Sequence, residues 1–180
     1  LQLRREQVEA EGLIVAAALA VIAVAKTSAD QAPPVTVPGI DKPVIVVTGS
    51  ISGTDTWSSA NYYVLRGAVF VEQGGTLNIG AGTRVIGESG SVGTLIVLRG
   101  GRLNAIGTAA AIVFTSDQPI GQRGRGDWGG LIINGRARIN FGSGEAAGEG
   151  DTGVYGGNDD NDNSGILRYT RVEFSGIEFS

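Results

Sequence analysis

The sequence predicts an all-β solenoid, a stack of short strands wound in coils, from three observations. The first is a repeat. Val69-Phe-Val-Glu-Gln-Gly-Gly-Thr-Leu-Asn-Ile79 superposes on Leu95-Ile-Val-Leu-Arg-Gly-Gly-Arg-Leu-Asn-Ala105 at an offset of 26 residues, bringing Val71 onto Val97 and Leu77-Asn78 onto Leu103-Asn104. The second is punctuation: Gly74-Gly75 and Gly100-Gly101 recur in the same frame, as corners between strands. The third is patterning. Val, Ile, Leu and Phe cluster in runs of strand length bounded by Gly, Asn, Asp or Ser. Units of this size cannot bury an apolar face alone, so neighbours must stack.

Composition narrows the chemistry. Apolar residues are 42% of the 180, which separates the chain from disordered glycine-rich polymers although it holds 30 glycines. Cysteine and histidine are absent, which excludes disulfides, thiol chemistry, His-based relays and the commonest zinc ligands. Any catalysis must use carboxylates, Arg, Lys or Tyr. The net charge of −4 argues against nucleic acid as a partner.

Along the chain, residues 1–12 are polar and precede an uncharged run, Leu13 to Ala25, that ends Ala23-Val24-Ala25. A membrane-spanning helix needs about 20 apolar residues, so the run reads as a secretory signal peptide behind the Arg4-Arg5 pair. Three preceding glutamates are atypical of such leaders, and a retained apolar helix is the alternative. Residues 26–43 hold four of the five prolines and read as a Pro-rich linker.

From residue 44 the chain reads as the solenoid domain, 44–180. Strands are expected at Val44–Thr48, Tyr62–Leu65, Ala68–Val71, Thr76–Ile79, Arg84–Ile86, Thr94–Leu98, Arg102–Ala105, Ile112–Thr115, Gly130–Ile133, Ala137–Ile139, Ile166–Tyr169 and Arg171–Phe174. Gly49 to Ser59 reads as a turn region holding Trp57. Val69, Val71, Leu77, Ile79, Val85, Leu95, Val97, Leu103, Ile112, Phe114, Ile132 and Ile139 are expected to point inward. Asn78 and Asn104 are expected to stack as a ladder between coils. The last residues, Val172 to Ser180, keep an alternating strand pattern, so the domain is expected to continue past Ser180 and its open coil to self-associate.

Several phrases carry a family resemblance. They are Val64-Leu-Arg-Gly-Ala-Val-Phe-Val71, Gly75-Thr-Leu-Asn-Ile79, Ile112-Val-Phe-Thr-Ser-Asp-Gln-Pro119, Gly126-Asp-Trp-Gly-Gly-Leu-Ile132 and Asn161-Asp-Asn-Ser-Gly-Ile-Leu-Arg-Tyr169 with Val172-Glu-Phe174. Together they resemble secreted bacterial surface proteins of the right-handed parallel β-helix, pectin-lyase-like type. The resemblance covers roughly the last two thirds of the chain. It implies a right-handed parallel β-helix and a secreted or outer-surface location. It does not choose among lyases, hydrolases, adhesins and stalks. Lipoprotein-like members carry a lipid-accepting cysteine that is missing here.

Three groups of residues could carry chemistry. Asp160-x-Asp162-x-Ser164-Gly165 places oxygens at alternate positions before a glycine, as a calcium loop opens, with Asp159 a further donor. Calcium takes roughly six to eight oxygens, and the twelfth position, Arg171, lacks the usual bidentate glutamate. The competing reading is a turn whose Asn and Asp side chains cap their own backbone. Next, Gly121-Gln-Arg-Gly-Arg-Gly-Asp-Trp-Gly-Gly130 could hold an acidic polysaccharide, with Arg123 and Arg125 on carboxylates and Trp128 under a sugar face. Equally, Trp128 could plug the next coil while the arginines pair with nearby acids. Third, Arg168, Arg171 and Glu173 stand beside the acidic loop, where lyases of the resembled fold use calcium-bound carboxylates and a basic side chain.

The expected function is an exported, non-catalytic cell-surface scaffold or adhesin-like protein presenting loops 121–129 and 142–165, with acidic polysaccharide or other surface material as partner. The alternative is a calcium-assisted polysaccharide lyase or glycan hydrolase. A filament subunit would require the apolar segment to be retained. Carboxylates converging with an arginine in an open groove would favour the enzyme; packed-down loops with paired charges would favour the scaffold.

Overall fold

A computed structural model describes Gly39 and residues 41–177. The leader-like run and the linker as far as residue 38 lie outside the described residues. Among the described residues there is no α-helix, and no helix is long and apolar enough to cross a membrane. Thirteen strands follow in order: β1 (Val44–Ile51), β2 (Thr54–Trp57), β3 (Tyr62–Val71), β4 (Thr76–Ile79), β5 (Arg84–Gly87), β6 (Thr94–Val97), β7 (Arg102–Ile106), β8 (Ile112–Ser116), β9 (Gly130–Ile133), β10 (Glu145–Ala147), β11 (Val154–Gly156), β12 (Gly165–Arg168) and β13 (Thr170–Val172).

The pairings are parallel everywhere except the β10–β11 hairpin, and they join each strand to its equivalent one coil away. The first face stacks the start of β1, the start of β3, β5, β8 and β13. The second stacks the end of β1, the end of β3, β6 and β9. The third stacks β2, β4, β7 and β12. Each coil visits the three faces in turn. β1 and β3 cross from first face to second as single bent strands, with a register shift between Val47 and Gly49 in β1.

The 26-residue repeat is the structural register, because Val71 pairs with Val97, Leu77 with Leu103 and Asn78 with Asn104. Side chains alternate in and out along a strand, so these columns run through the stack. The inner core holds Tyr63, Leu65, Val69, Val71, Leu77, Ile79, Val85, Leu95, Val97, Leu103, Ala105, Ile112 and Phe114, all buried. The Asn ladder forms: Asn104 Nδ2 donates to Asn78 Oδ1 at 3.0 Å. Corner glycines earn their place where backbones converge. A Cβ at Gly75 would stand 2.4 Å from the Ile51 carbonyl oxygen, and one at Gly101 2.4 Å from that of Val71.

Four expectations need correction. Residues 54–57 form β2 rather than part of a turn, because Trp57 reaches the core and stacks on Tyr63 with centroids 4.6 Å apart. Residues 137–139 are not a strand. The amides of Arg136 and Arg138 donate to the carboxylates of Asp162 and Asp160, which removes them from any ladder. Ile139 instead packs beside Gly156 in the same loop. Ile132 pairs with Ile96, on the opposite side of the strand from Leu95 and Val97, so Leu131 is the residue that packs against the inner core, while Ile133, opposite Val97, is exposed.

Candidate functional site: the fourth-coil insertions

Coil geometry fixes strand lengths, so variation accumulates at corners. Between the first and second faces the corner grows from Arg66-Gly67 to residues 88–93 and then to 117–129. Between the second and third faces it grows from 72–75 and 98–101 to 134–164. Both large insertions belong to the fourth coil and flank β9.

The 117–129 insertion folds down. Trp128 is fully buried, and its indole occupies the space above Gly87, where a Cβ would stand 2.5 Å from ring atoms. Gly87 lies in the inward column after Leu65. Its missing side chain is the slot that the indole fills. Trp128 Nε1 donates to the Glu173 carbonyl at 2.8 Å, tying the insertion to the next coil. The indole has no open face for a sugar; it serves as the plug. Arg123 donates through Nε to the Gln118 carbonyl at 2.8 Å and through Nη1 to Thr115 Oγ1 at 3.4 Å. Asp127 Oδ2 accepts from the Gly124 amide at 3.0 Å. Arg125 is exposed and makes no ion pair among the described residues.

The 134–164 insertion is a hairpin drawn back onto the stack. Asn134 is 3% exposed and its Nδ2 donates to the Thr152 carbonyl at 2.7 Å. Arg99, from the corner one coil below, pairs with Glu145 at 2.5 Å and also donates to the Gly156 carbonyl at 3.0 Å. Between hairpin and loop lies a shallow cavity of about 280 Å³ lined by Ser143, Gly144, Glu145, Gly157 and Asn158.

In the acidic loop, Asp160 receives Arg138 on both carboxylate oxygens, with Nε at 3.0 Å from Oδ1. The guanidinium holds the Asp160 carboxyl below the usual carboxylate range. Asp162 Oδ2 accepts from the Arg136 amide at 2.8 Å, and Asp159 Oδ1 from the Asn161 amide at 3.1 Å. The backbone carbonyl of Ser164 accepts from the Leu103 amide at 2.9 Å. As folded, these donors cap backbone and bind an arginine. Among the described residues no three acidic side chains are grouped to hold a cation.

The third group is split between faces. Arg168 ends β12 on the third face, whereas Arg171 and Glu173 lie on or beside β13 on the first. There Glu173 pairs with Arg171 at 2.9 Å and accepts from Thr115 Oγ1 at 3.3 Å. One cluster escaped the sequence reading. Arg66 Nε reaches both oxygens of Glu88, at 3.1 and 3.0 Å, and Ser91 Oγ donates to Glu88 at 2.6 Å. Arg66 and Glu88 are 22 residues apart, as are the paired Tyr62 and Arg84. The spacing of the second and third coils would have found them.

A family model described as a pectate-lyase like beta helix domain matches residues 49–180. Searches of curated proteins and of solved structures gave no match.

Proposed function

The chain belongs to the pectate-lyase-like β-helix domain family, and on that premise we propose that it is a non-catalytic scaffold or adhesin-like protein. In this reading it is exported, and its coils wind right-handed, the hand that right-twisted strands favour in parallel crossovers. It displays the 121–129 and 142–165 loops at a cell surface and meets acidic polysaccharide there. The family fits either a scaffold or a lyase, so the choice rests on the site.

One observation carries it: both insertions are tied to the coil stack by engaged side chains, while Arg125, Glu149 and Asp151 stay exposed at their rims. Trp128 is buried, Arg123 bonds within its own loop and to Thr115, Arg99 holds Glu145, and Arg138 holds Asp160. A uronate lyase needs carboxylates gathered around a cation, with a free base facing the sugar. Here the acidic loop and the Arg171–Glu173 pair sit on different corners and faces.

The test is depolymerisation. Polyuronates and neutral glucans incubated with the full chain, with and without calcium, are expected to keep their length distribution. Chain shortening with an unsaturated end product, lost on Glu173→Gln, would overturn the scaffold reading.

A further inference from the structure

We propose that the Arg125–Gly126 peptide bond is a processing site for an arginine-specific endopeptidase, and that the cut chain stays folded as two interlocked pieces. The site stands whether the chain is a scaffold or a lyase.

Its surroundings single out this bond. An arginine-specific protease needs a cationic side chain free to enter its pocket and a backbone that it can draw into its cleft as an added strand. Among the Lys and Arg of residues 41–177, Arg84, Arg102, Arg168 and Arg171 have their backbones paired in ladders. Arg66 holds Glu88, Arg99 holds Glu145, Arg138 holds Asp160, and Lys42 donates to the Ser59 carbonyl. Arg123 and Arg136 donate to the carbonyls of Gln118 and Arg99. Only Arg125 is at once outside the strands, exposed and without a side-chain bond among the described residues.

The backbone around it is open as well. Residues 120–122 and 125 are exposed, Ile120 at 89%. A Cβ added at Gly121 would meet nothing within 4 Å, and the nearest atom would lie 3.8 Å away at Gly124 and 3.9 Å away at Gly126. The amide and carbonyl of Arg125 and the amide of Arg123 make no hydrogen bond among the described residues. Through such groups a serine protease pairs with the chain ahead of the cut and polarises the carbonyl that it attacks. Beyond the cut the Gly126 amide donates to the Ser175 carbonyl at 3.2 Å and the Asp127 amide to that of Phe174 at 3.1 Å. Exposed loop tips built of small and polar residues are where nicking concentrates.

The cut adds water across the amide, leaving a carboxylate on Arg125 and an ammonium on Gly126, which can go on donating to Ser175. The two pieces cannot part easily. The downstream one supplies β9, β12 and β13, each laddered to an upstream strand, and its Trp128 fills the slot above the upstream Gly87. Separation would strip three ladders and expose a fully buried indole. Processing therefore opens the 117–129 insertion into two ends without releasing either.

The experiment is timed digestion of the full chain by trypsin under native conditions, with fragments identified by mass and cuts counted within residues 41–177. Cleavage after Arg125 is expected first, with other sites in that range about a hundredfold slower or more, since they need local unfolding. Arg125→Lys is expected to be cut at a comparable rate. Arg125→Gln is expected to be cut at this bond more than about a hundredfold more slowly, because the protease pocket reads a cation. The nicked protein is expected to sediment as one species with the native circular-dichroism spectrum, and to separate only in denaturant. Three outcomes would overturn the proposal: a first cut elsewhere in that range or none at all, Arg125→Gln cut at the native rate, or nicked pieces that separate without denaturant. None of these depends on depolymerisation, so this site and the scaffold reading fail separately.

Discussion

Trp128 and Gly87 form a lock whose strength can be worked out. Gly87→Ala adds one methyl group whose carbon would lie 2.5 Å from the indole, about 1 Å inside ordinary carbon contact. The ring cannot slide freely, because Nε1 is bonded to the Glu173 carbonyl at 2.8 Å and the side chain is fully buried. Relief by ring movement would forfeit that bond, about 1 kcal/mol. Overpacking of a closed core costs about 1–3 kcal/mol more. Since Gly87 is not at positive φ, the backbone adds no strain of its own. The expected loss is therefore about 2–4 kcal/mol in urea unfolding followed by circular dichroism. Trp128→Leu alone should also destabilise, by about 3 kcal/mol, through its cavity and the lost bond. The double variant should be less damaged than the sum, with a coupling of about 1–3 kcal/mol, because leucine leaves room for the new methyl. Strict additivity, or a neutral Gly87→Ala, would refute the lock.

Two further predictions follow. The Arg66 guanidinium, then the Ser91 hydroxyl, holds the Glu88 carboxyl below its ordinary value of 4.5. A depressed folded value means stability is present above pH 4.5 and is lost as pH falls through the folded value. Arg66→Ala should cost about 2–3 kcal/mol at neutral pH, since each side chain is only 16–17% exposed, and should flatten the acid limb in Glu88→Gln fashion. An unchanged acid limb in both variants would show that the pair contributes nothing. For the acidic loop, calcium titration should give no saturable heat in the native chain, and Arg138→Ala should be the variant that frees Asp160 for a cation. Tight native binding that disappears in Asp160→Ala/Asp162→Ala would establish the acidic loop as a calcium site.

The coil stack was legible because stacked coils repeat their inward residues at the register spacing. Leu77-Asn78 and Leu103-Asn104 are neighbours in space at the same offset seen in the sequence. Legibility failed where a residue's partner lies outside its own strand. Thr54-Asp-Thr-Trp57 has one apolar residue, since Asp55 takes the inward place at the end of the stack, and its indole bond from Trp57 is 3.1 Å. Residues 137–139 have strand-like composition, but the Arg138 amide, like that of Arg136 just before, serves a carboxylate more than twenty positions later. Ile132 and Leu131 are equally apolar, so only the register with Ile96 and Leu95 decides which points inward. The role of Trp128 depended on Gly87 in the preceding coil, which no local pattern reveals.

The two insertions beside β9 differ in kind, and the difference bears on function. The first is consumed by the stack: its largest side chain is core, its backbone pairs with the next coil, and Trp128 bridges in parallel to Ser175. The second keeps a solvent-facing hairpin with Phe141, Val154 and Tyr155 exposed, held by Arg99 and Arg138. It returns the chain directly into β12 through Ser164, beside Arg102 in the register. Replacing the hairpin by a short turn should leave the coils folded, with an unchanged circular-dichroism spectrum, because the register of β12 against β7 is set by Leu103, Asn104 and Ala105 rather than by the insertion.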